Sequence, residues 1–323
     1  MVFESIIENT TYFCSTFIIL LICELLYFRV ARRCLIGDKV TKRSSHHEYK
    51  LTGGGIIFII AAFIYYLWYG TAINLMLIGA IVLATISFID DIKNTSPVLR
   101  LVIHSIIIFA TFSYIIKWGY IDIFIVVLVC GVGFINAYNF MDGINGITAG
   151  YSLVTLSTLL YHFNGLPNAP TTFIITLIIA TLIFAFFNFR KNAVCFAGDV
   201  GSITMGYFIL YLIIELIWAR ADATCIVFVM VYGIDTVYTI FQRLFMGEDI
   251  FTPHRHHLYQ VLVNQWKIPH CLVSSYYAGI QLSINIIYFI IPQDYKWTYV
   301  IFVIMTLSTI YFLTKRSIRS KRN

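Results

Sequence analysis

The chain has 323 residues, 59% hydrophobic and 12% charged, with a mean hydropathy of +0.83. Soluble domains carry roughly 25% charged residues, and a globule of this size could not bury so much apolar surface. Disorder, a nucleic-acid-binding module and a secreted disulfide scaffold are therefore excluded; the net charge of +6 lies in loops between apolar runs, and an integral membrane protein is expected.

A bilayer span needs about 20 mostly apolar helical residues, because backbone polar groups in lipid must bond within their own segment. Eleven segments qualify, at approximately 10–30, 54–70, 72–89, 98–117, 121–140, 145–163, 171–189, 201–218, 224–244, 271–291 and 297–314. The expected fold is an all-α polytopic membrane protein forming one transmembrane domain over residues 1–323, with no internal repeat and no second domain. Glu4 and Glu8 stand where a cleavable signal would be basic, so the first apolar run is expected to remain as a span. All six prolines fall in breaks or at span edges, where a missing N–H costs least. The seven cysteines follow no pairing rhythm and read as small buried hydrophobes.

Eleven spans would place 19 of the 22 Lys and Arg on one side, leaving Lys117, Arg220 and Lys296 on the other. Positive charge stays inside, which predicts the N-terminus outside and the C-terminus cytoplasmic. The cytoplasmic loops are then those near 31–53, 90–97, 140–146, 189–200 and 245–270.

Carboxylates near lipid are expensive, so their positions are informative. Asp90 and Asp91 end the third segment; Asn136, Asn139, Asp142 and Asn145 follow at spacings of three across the end of the fifth. Asp199 lies between glycines in Gly198-Asp199-Val200-Gly201-Ser202, and His254-Arg255-His256-His257 lies in the loop after the ninth segment. The predicted topology puts all four patches on the cytoplasmic face. Carboxylates and carboxamides suit Mg2+, the His-Arg cluster suits phosphate oxygens, and glycine-rich turns before a helix let backbone N–H groups approach an anion. Together they describe a membrane enzyme handling a phosphorylated substrate with a metal.

Each patch alone has a plainer explanation. An Asp-Asp pair can be a solvated helix end, the asparagines can join helices, the Gly-Asp turn can be structural, and three His around an Arg could bind zinc, although no H-E-x-x-H is present. The basic stretch 29–50 serves first as a positive-inside anchor. The rival class is a transporter or flippase, whose ionisable groups sit near the bilayer midplane. Asp235 is the sole acid expected there, and it equally reads as structural or as an active-site wall.

The run Asn136-Ala-Tyr-Asn139-Phe-Met-Asp142-Gly143-Ile-Asn145-Gly146, with Asp90-Asp91, Gly198-Asp199-Val-Gly-Ser202 and His254-Arg-His-His257-Leu-Tyr-Gln260, resembles the polyprenyl-phosphate N-acetylhexosamine-1-phosphate transferases (glycosyl transferase family 4), specifically the branch that initiates O-antigen and other surface polysaccharides. Arg43-Ser-Ser-His46 followed by Gly53-Gly54-Gly55 is similar to that family's first cytoplasmic loop, which makes Arg43 and His46 candidate substrate-binding residues. The resemblance implies transfer of a HexNAc 1-phosphate from a UDP-N-acetylhexosamine to undecaprenyl phosphate with release of UMP. It also implies Mg2+, or Mn2+ in its place, membrane lipid as partner, the bacterial inner membrane as location, and room for a homodimer; no nucleic acid is expected. By matching position, Asp199 would be the main metal ligand with Asp91 as a second, and Asp90 and Asp91 would stand at the acceptor phosphate. Asn136, Asn139, Asp142 and Asn145 would hold the nucleotide-sugar, and His254, Arg255, His256 and His257 its diphosphate and nearby groups.

Two departures matter. Asn145 stands where many members have a second Asp, and the cluster is His-Arg-His-His rather than three consecutive His, which argues against the branch that transfers phospho-MurNAc-pentapeptide. The acceptor is a phosphate monoester with a second pKa of about 6, already largely a dianion near neutral pH, so direct attack without a general base and an aspartyl-phosphate route both remain open.

Overall fold

The computed structural model describes residues 2–38, 50–70, 74–93, 95–116, 120–249, 252 and 254–320, nearly all of them helical. Long helices lie on every apolar segment: α1 (Val2–Arg33), α2 (Ile56–Tyr69), α3 (Leu75–Lys93), α4 (Pro97–Ile115), α5 (Ile121–Phe140), α6 (Ile147–Phe163), α7 (Thr171–Asn188) and α8 (Gly198–Arg220). They continue through a 3-10 segment (Ala223–Val229) into α9 (Met230–Phe245), then a short α10 (Leu258–Asn264), α11 (His270–Ile290) and α12 (Lys296–Ser320). A two-stranded antiparallel pair, β1 (Gly37–Asp38) with β2 (Lys50–Leu51), lies between α1 and α2. By length and hydropathy, seven of the described helical stretches can cross a membrane: Asn9–Arg33, Leu75–Lys93, Ile121–Phe140, Thr171–Asn188, Gly198–Arg220, Ala223–Phe245 and Gln293–Ser317. Helices α2 and α4 are apolar but shorter. Helix α11 carries Ser274, Gln281 and Asn285, all buried.

Helix α8 is the centre of the bundle, with α2, α3, α5 and α6 packed around it. Its sequence is apolar on all sides, as a helix enclosed by other helices should be. Lipid offers no hydrophobic drive between helices, so polar pairs contribute to holding them. Tyr207 of α8 shares a hydrogen bond with Thr111 of α4 at 2.8 Å, and Tyr138 of α5 with Ser152 of α6 at 2.6 Å. Gln281 of α11 accepts from the Tyr151 hydroxyl at 2.7 Å and donates to the Val227 carbonyl at 2.9 Å, while Asn285 donates to Thr158 at 2.8 Å. Tyr151 stacks on Tyr232 of α9 with ring centres 3.6 Å apart. The seven cysteines are free thiols; Cys195 and Cys225 are buried as expected, whereas Cys14, Cys34 and Cys130 are exposed, which corrects the expectation for those three.

The starts of α2 and α8 are joined backbone to backbone. Phe196 N–H donates to the Leu51 carbonyl at 2.8 Å, Gly54 N–H to the Phe196 carbonyl at 2.9 Å, and Gly55 N–H to the Ala197 carbonyl at 3.0 Å. This closeness requires bare backbone: a Cβ on Gly55 would lie 2.2 Å from the Gly201 Cα. Overpacking of this kind typically costs about 1–3 kcal/mol. Gly55→Ala is therefore expected to lower the thermal midpoint of the detergent-purified protein by several degrees; an unchanged melting curve would contradict the close approach.

Candidate active site

The last turn of α3 delivers two adjacent carboxylates with different surroundings. Asp91 turns toward the start of α8, where its two oxygens accept the backbone N–H groups of Asp199 at 2.9 Å and Val200 at 3.1 Å. A helix N-terminus carries unpaired donors and partial positive charge, and here a carboxylate from another helix satisfies both. The glycine-rich turn was expected to offer its N–H groups to a bound anion; Asp91 is the anion they hold. This cap also explains why α8 begins at Gly198, three residues before the predicted span, placing Asp199 inside the helix. Gly198 has φ +72°, and a Cβ there would meet Asp91 and Gly53 at 2.7 Å.

Asp90 faces the other way. One oxygen accepts both the backbone N–H and the hydroxyl of Thr95, and the other pairs with Arg100 on α4. Arg100 also reaches Asp199, at 3.0 Å, so its guanidinium bridges two carboxylates from different helices. The second oxygen of Asp199 accepts the Asn139 amide at 2.8 Å, and that amide also reaches the Ser202 hydroxyl at 2.9 Å. Asp90 of α3 and Asp199 of α8 thus meet at one cation, with Asn139 of α5 on the far oxygen of Asp199.

Asp142 lies just past α5 and accepts a hydrogen bond from Thr148. Burial, reinforced by the nearby Asp91 charge, pushes its carboxyl up to about 7. Two neighbours in the Asn/Asp run are turned elsewhere. Asn136 donates to the Val132 carbonyl at 2.7 Å and faces His104 at 3.3 Å, although residues three apart share a helix face and Asn139 turns to Asp199. Asn145 spends its amide on the carbonyls of Arg190 at 2.9 Å and Lys191 at 3.1 Å. A carboxylate there could donate to neither, which gives the Asn a structural reason.

The His-Arg segment comes up beside the end of α5. The Tyr259 hydroxyl donates to the Phe140 carbonyl at 2.9 Å, and the rings of His254 and His257 lie 6.4 and 6.3 Å from Phe140. Burial, then the neighbouring His257, push His254 down to about 3, so its ring is neutral at pH 7. His256 Nε2 lies 3.1 Å from Glu248, whose carboxyl is held below its usual range by a hydrogen bond from the buried Arg243. His257 is buried against Asp235 of α9. Arg43 and His46 lie outside the described residues.

Sequence reading did not find Arg100 or the part Asp235 plays. Arg100 carries no motif of its own. Asp235 stood out only as a lone membrane acid, 22 positions from the histidine it meets.

Among the described residues no three His, Cys, Asp or Glu form a ready-made metal cage. The donor chemistry nonetheless fits a hard cation that keeps most of its waters: carboxylates of Asp90 and Asp199 with the Asn139 amide adjoining, and one guanidinium between them.

Residues 73–217 match the model of glycosyl transferase family 4. The chain is 24% identical over 285 residues to a Bacillus subtilis protein named as a probable undecaprenyl-phosphate N-acetylglucosaminyl 1-phosphate transferase, covering 81% of this chain and 79% of that one. It is 29% identical to phospho-N-acetylmuramoyl-pentapeptide-transferases of Dictyoglomus thermophilum, over 61% of this chain and 70% of the relative, and of Streptococcus suis, over 74% and 84%. Over residues 73–217 the chain is similar to glycosyl transferase family 4, and seven helices long and apolar enough to cross a membrane make it a multi-pass membrane protein.

Because the Asp142 carboxyl is raised in the folded protein, the stability it contributes is complete below its unfolded value near 3.9 and is lost as pH rises through about 7. Ligand-free protein should therefore lose thermal stability between pH 5 and 8, and Asp142→Asn should lose less over that interval. Parallel curves for the two proteins would refute the buried-carboxyl assignment.

Proposed function

We propose that this enzyme transfers a HexNAc 1-phosphate from a UDP-N-acetylhexosamine to undecaprenyl phosphate, giving undecaprenyl-diphospho-HexNAc and UMP. This would be the first membrane step in assembling O-antigen or a related surface polysaccharide, on the cytoplasmic face of the bacterial inner membrane. The observation that carries the reading is the meeting of Asp90 and Asp199 on Arg100, with Asn139 holding the other oxygen of Asp199, at the ends of three helices. The name of the Bacillus relative supports the donor class. The 19-to-3 distribution of Lys and Arg supports the side. The single transmembrane catalytic domain and its five cytoplasmic loops are part of the same proposal.

The acceptor phosphate oxygen attacks the β-phosphorus of the donor; the bond from that phosphorus to the bridging oxygen breaks, and its electrons leave with UMP. Mg2+, held by Asp199 with Asp90 near it, would neutralise charge on the transferred phosphoryl group. Asp91 is the weaker candidate for a ligand, since both of its oxygens already cap α8. Arg100 supplies a fixed positive charge beside the acceptor position, and Asn139 holds one Asp199 oxygen in place. The oxygens of Asp90 are occupied by Thr95 and Arg100. Both Asp90 and Asp91 are thereby poor nucleophiles, which favours direct displacement over an aspartyl-phosphate. His254, Arg255 and His256 line the side on which the donor's diphosphate would lie.

Phospho-MurNAc-pentapeptide transfer is the second reading, favoured by the names of several relatives. A UMP-release assay with undecaprenyl phosphate, Mg2+ or EDTA, and a panel of UDP-N-acetylhexosamines plus UDP-MurNAc-pentapeptide separates the two. Metal-dependent release with one hexosamine donor is expected, and release with the pentapeptide donor alone would replace the first reading by the second. Asp199→Asn should cut turnover by orders of magnitude while the protein stays folded; near-normal activity would remove Asp199 from the metal. Exchange of UMP into UDP-sugar without lipid acceptor would overturn direct displacement.

A further inference from the structure

Helix α12 packs on α9 through a polar stripe that runs down to the loop after α9. Ser308, Tyr311 and Lys315 lie at i, i+3 and i+7, on one face of α12. Ser308 accepts from the Tyr238 hydroxyl at 2.9 Å, and the Tyr311 hydroxyl meets that of Thr239 at 3.0 Å. The rings of Tyr238 and Tyr311 stack with centres 5.4 Å apart. Gln242 lies one turn further along α9, and its amide oxygen accepts from Lys315 Nζ at 2.6 Å.

Lys315 also reaches past α9. The same ammonium donates to the backbone carbonyl of His256, 59 positions away in the chain, and lies 4.6 Å from the centre of the Tyr311 ring. An ammonium has three donors and no acceptor; here it serves oxygens of two different elements while its charge rests on an aromatic face. Counting positive charge gives Lys315 no task beyond that of one cation among those that end the chain. Its contacts are more specific than that task needs. The neighbouring Arg316 is exposed, as a charge that serves only the count should be.

The ends of the loop are held from α9 itself. The buried Arg243 binds Glu248 at 3.0 Å and the carbonyls of Asp249 and Thr252, while Asp235 accepts the Leu258 N–H at 2.9 Å. Between those ends, Lys315 supplies a bond from a different helix, and it supplies it to main chain. A bond to a carbonyl fixes the path of the backbone whatever the side chains around it do.

Resting on the reaction proposed above, we propose that Lys315 is a positioning residue, which from the last helix fixes the main chain at His256 and thereby the path of the loop beside the end of α5. It touches no substrate and acts through the loop backbone. The charge near the end of the chain then serves the shape of the site as well as the topology of the protein.

Three full-length variants in detergent separate these roles. Lys315→Met keeps the length of the side chain and removes its donors, Lys315→Arg keeps charge and donors, and Arg316→Met removes an equal charge one position on. Each is read by amide hydrogen exchange over residues 254–257, by affinity for UDP as the probe, and by kcat and KM for the donor in UMP release. Lys315→Met is expected to stay folded, with exchange at 254–257 and donor KM each raised about tenfold, the effect of losing one hydrogen bond to a charged group, and with kcat changed less. UDP affinity should fall by a similar factor, Lys315→Arg should recover part of each loss, and Arg316→Met should match the wild type. Should Lys315→Met not fold, Lys315→Gln takes its place. Wild-type exchange at 254–257 in the folded variant would overturn the proposal, and so would raised exchange with unchanged UDP affinity, or equal losses in Arg316→Met. Failure of every sugar donor with the wild-type protein would sink the proposed reaction instead; the exchange and the UDP titration need no turnover and would still decide this inference.

Discussion

The site depends on a carboxylate capping a helix it does not belong to. Asp91, at the end of α3, satisfies the first N–H groups of α8, and through that contact the two most closely packed helices of the bundle are fixed end to end. Asp199 follows from it, since the residue whose N–H is capped is the residue whose side chain enters the cluster. Gly55 and Gly201 permit the same approach from the α2 side, where backbone meets backbone. Three helix ends are thereby held within hydrogen-bonding distance, and helix ends are more rigid supports for catalytic side chains than loops.

Around that frame, charge is deliberately unbalanced. Asp90 and Asp199 share the guanidinium of Arg100, and Asp91 and Asp142 lie close enough to feel each other's charge. Burial makes such charge costly to hold, as the raised Asp142 carboxyl indicates. A protein that only needed stability would replace some of these acids. Retaining them suits a site that receives a cation together with anionic substrates, where the stored repulsion is relieved on binding. A second polar unit, Asp235 with His257 and Tyr277, is tied to the first through Tyr259 and the end of α5, so both lie on one end of the bundle.

Much of this was legible in the sequence. The helices were readable from hydropathy because lipid permits few alternatives to a helix, and acids at their ends were conspicuous because such positions are costly. What stayed hidden was orientation. Asn136, Asn139 and Asn145 look alike in the sequence, yet Asn139 joins Asp199, Asn136 turns to His104, and Asn145 latches the loop at 190–191. Asp90 and Asp91 are adjacent, and adjacent residues on a helix point about 100° apart, so one becomes a cap and the other a partner of Arg100.

The sequence by itself determined that the chain is a many-helix membrane protein whose motifs resemble a transferase family, because composition and short motifs are local properties. Only the tertiary structure decided which acids meet, that Arg100 joins two of them across α3, α4 and α8, and that Asp235 lies against His257. Those outcomes depend on rotation and packing of helices far apart in the chain. Direction in space is set by contacts between helices, and no spacing within one helix encodes it.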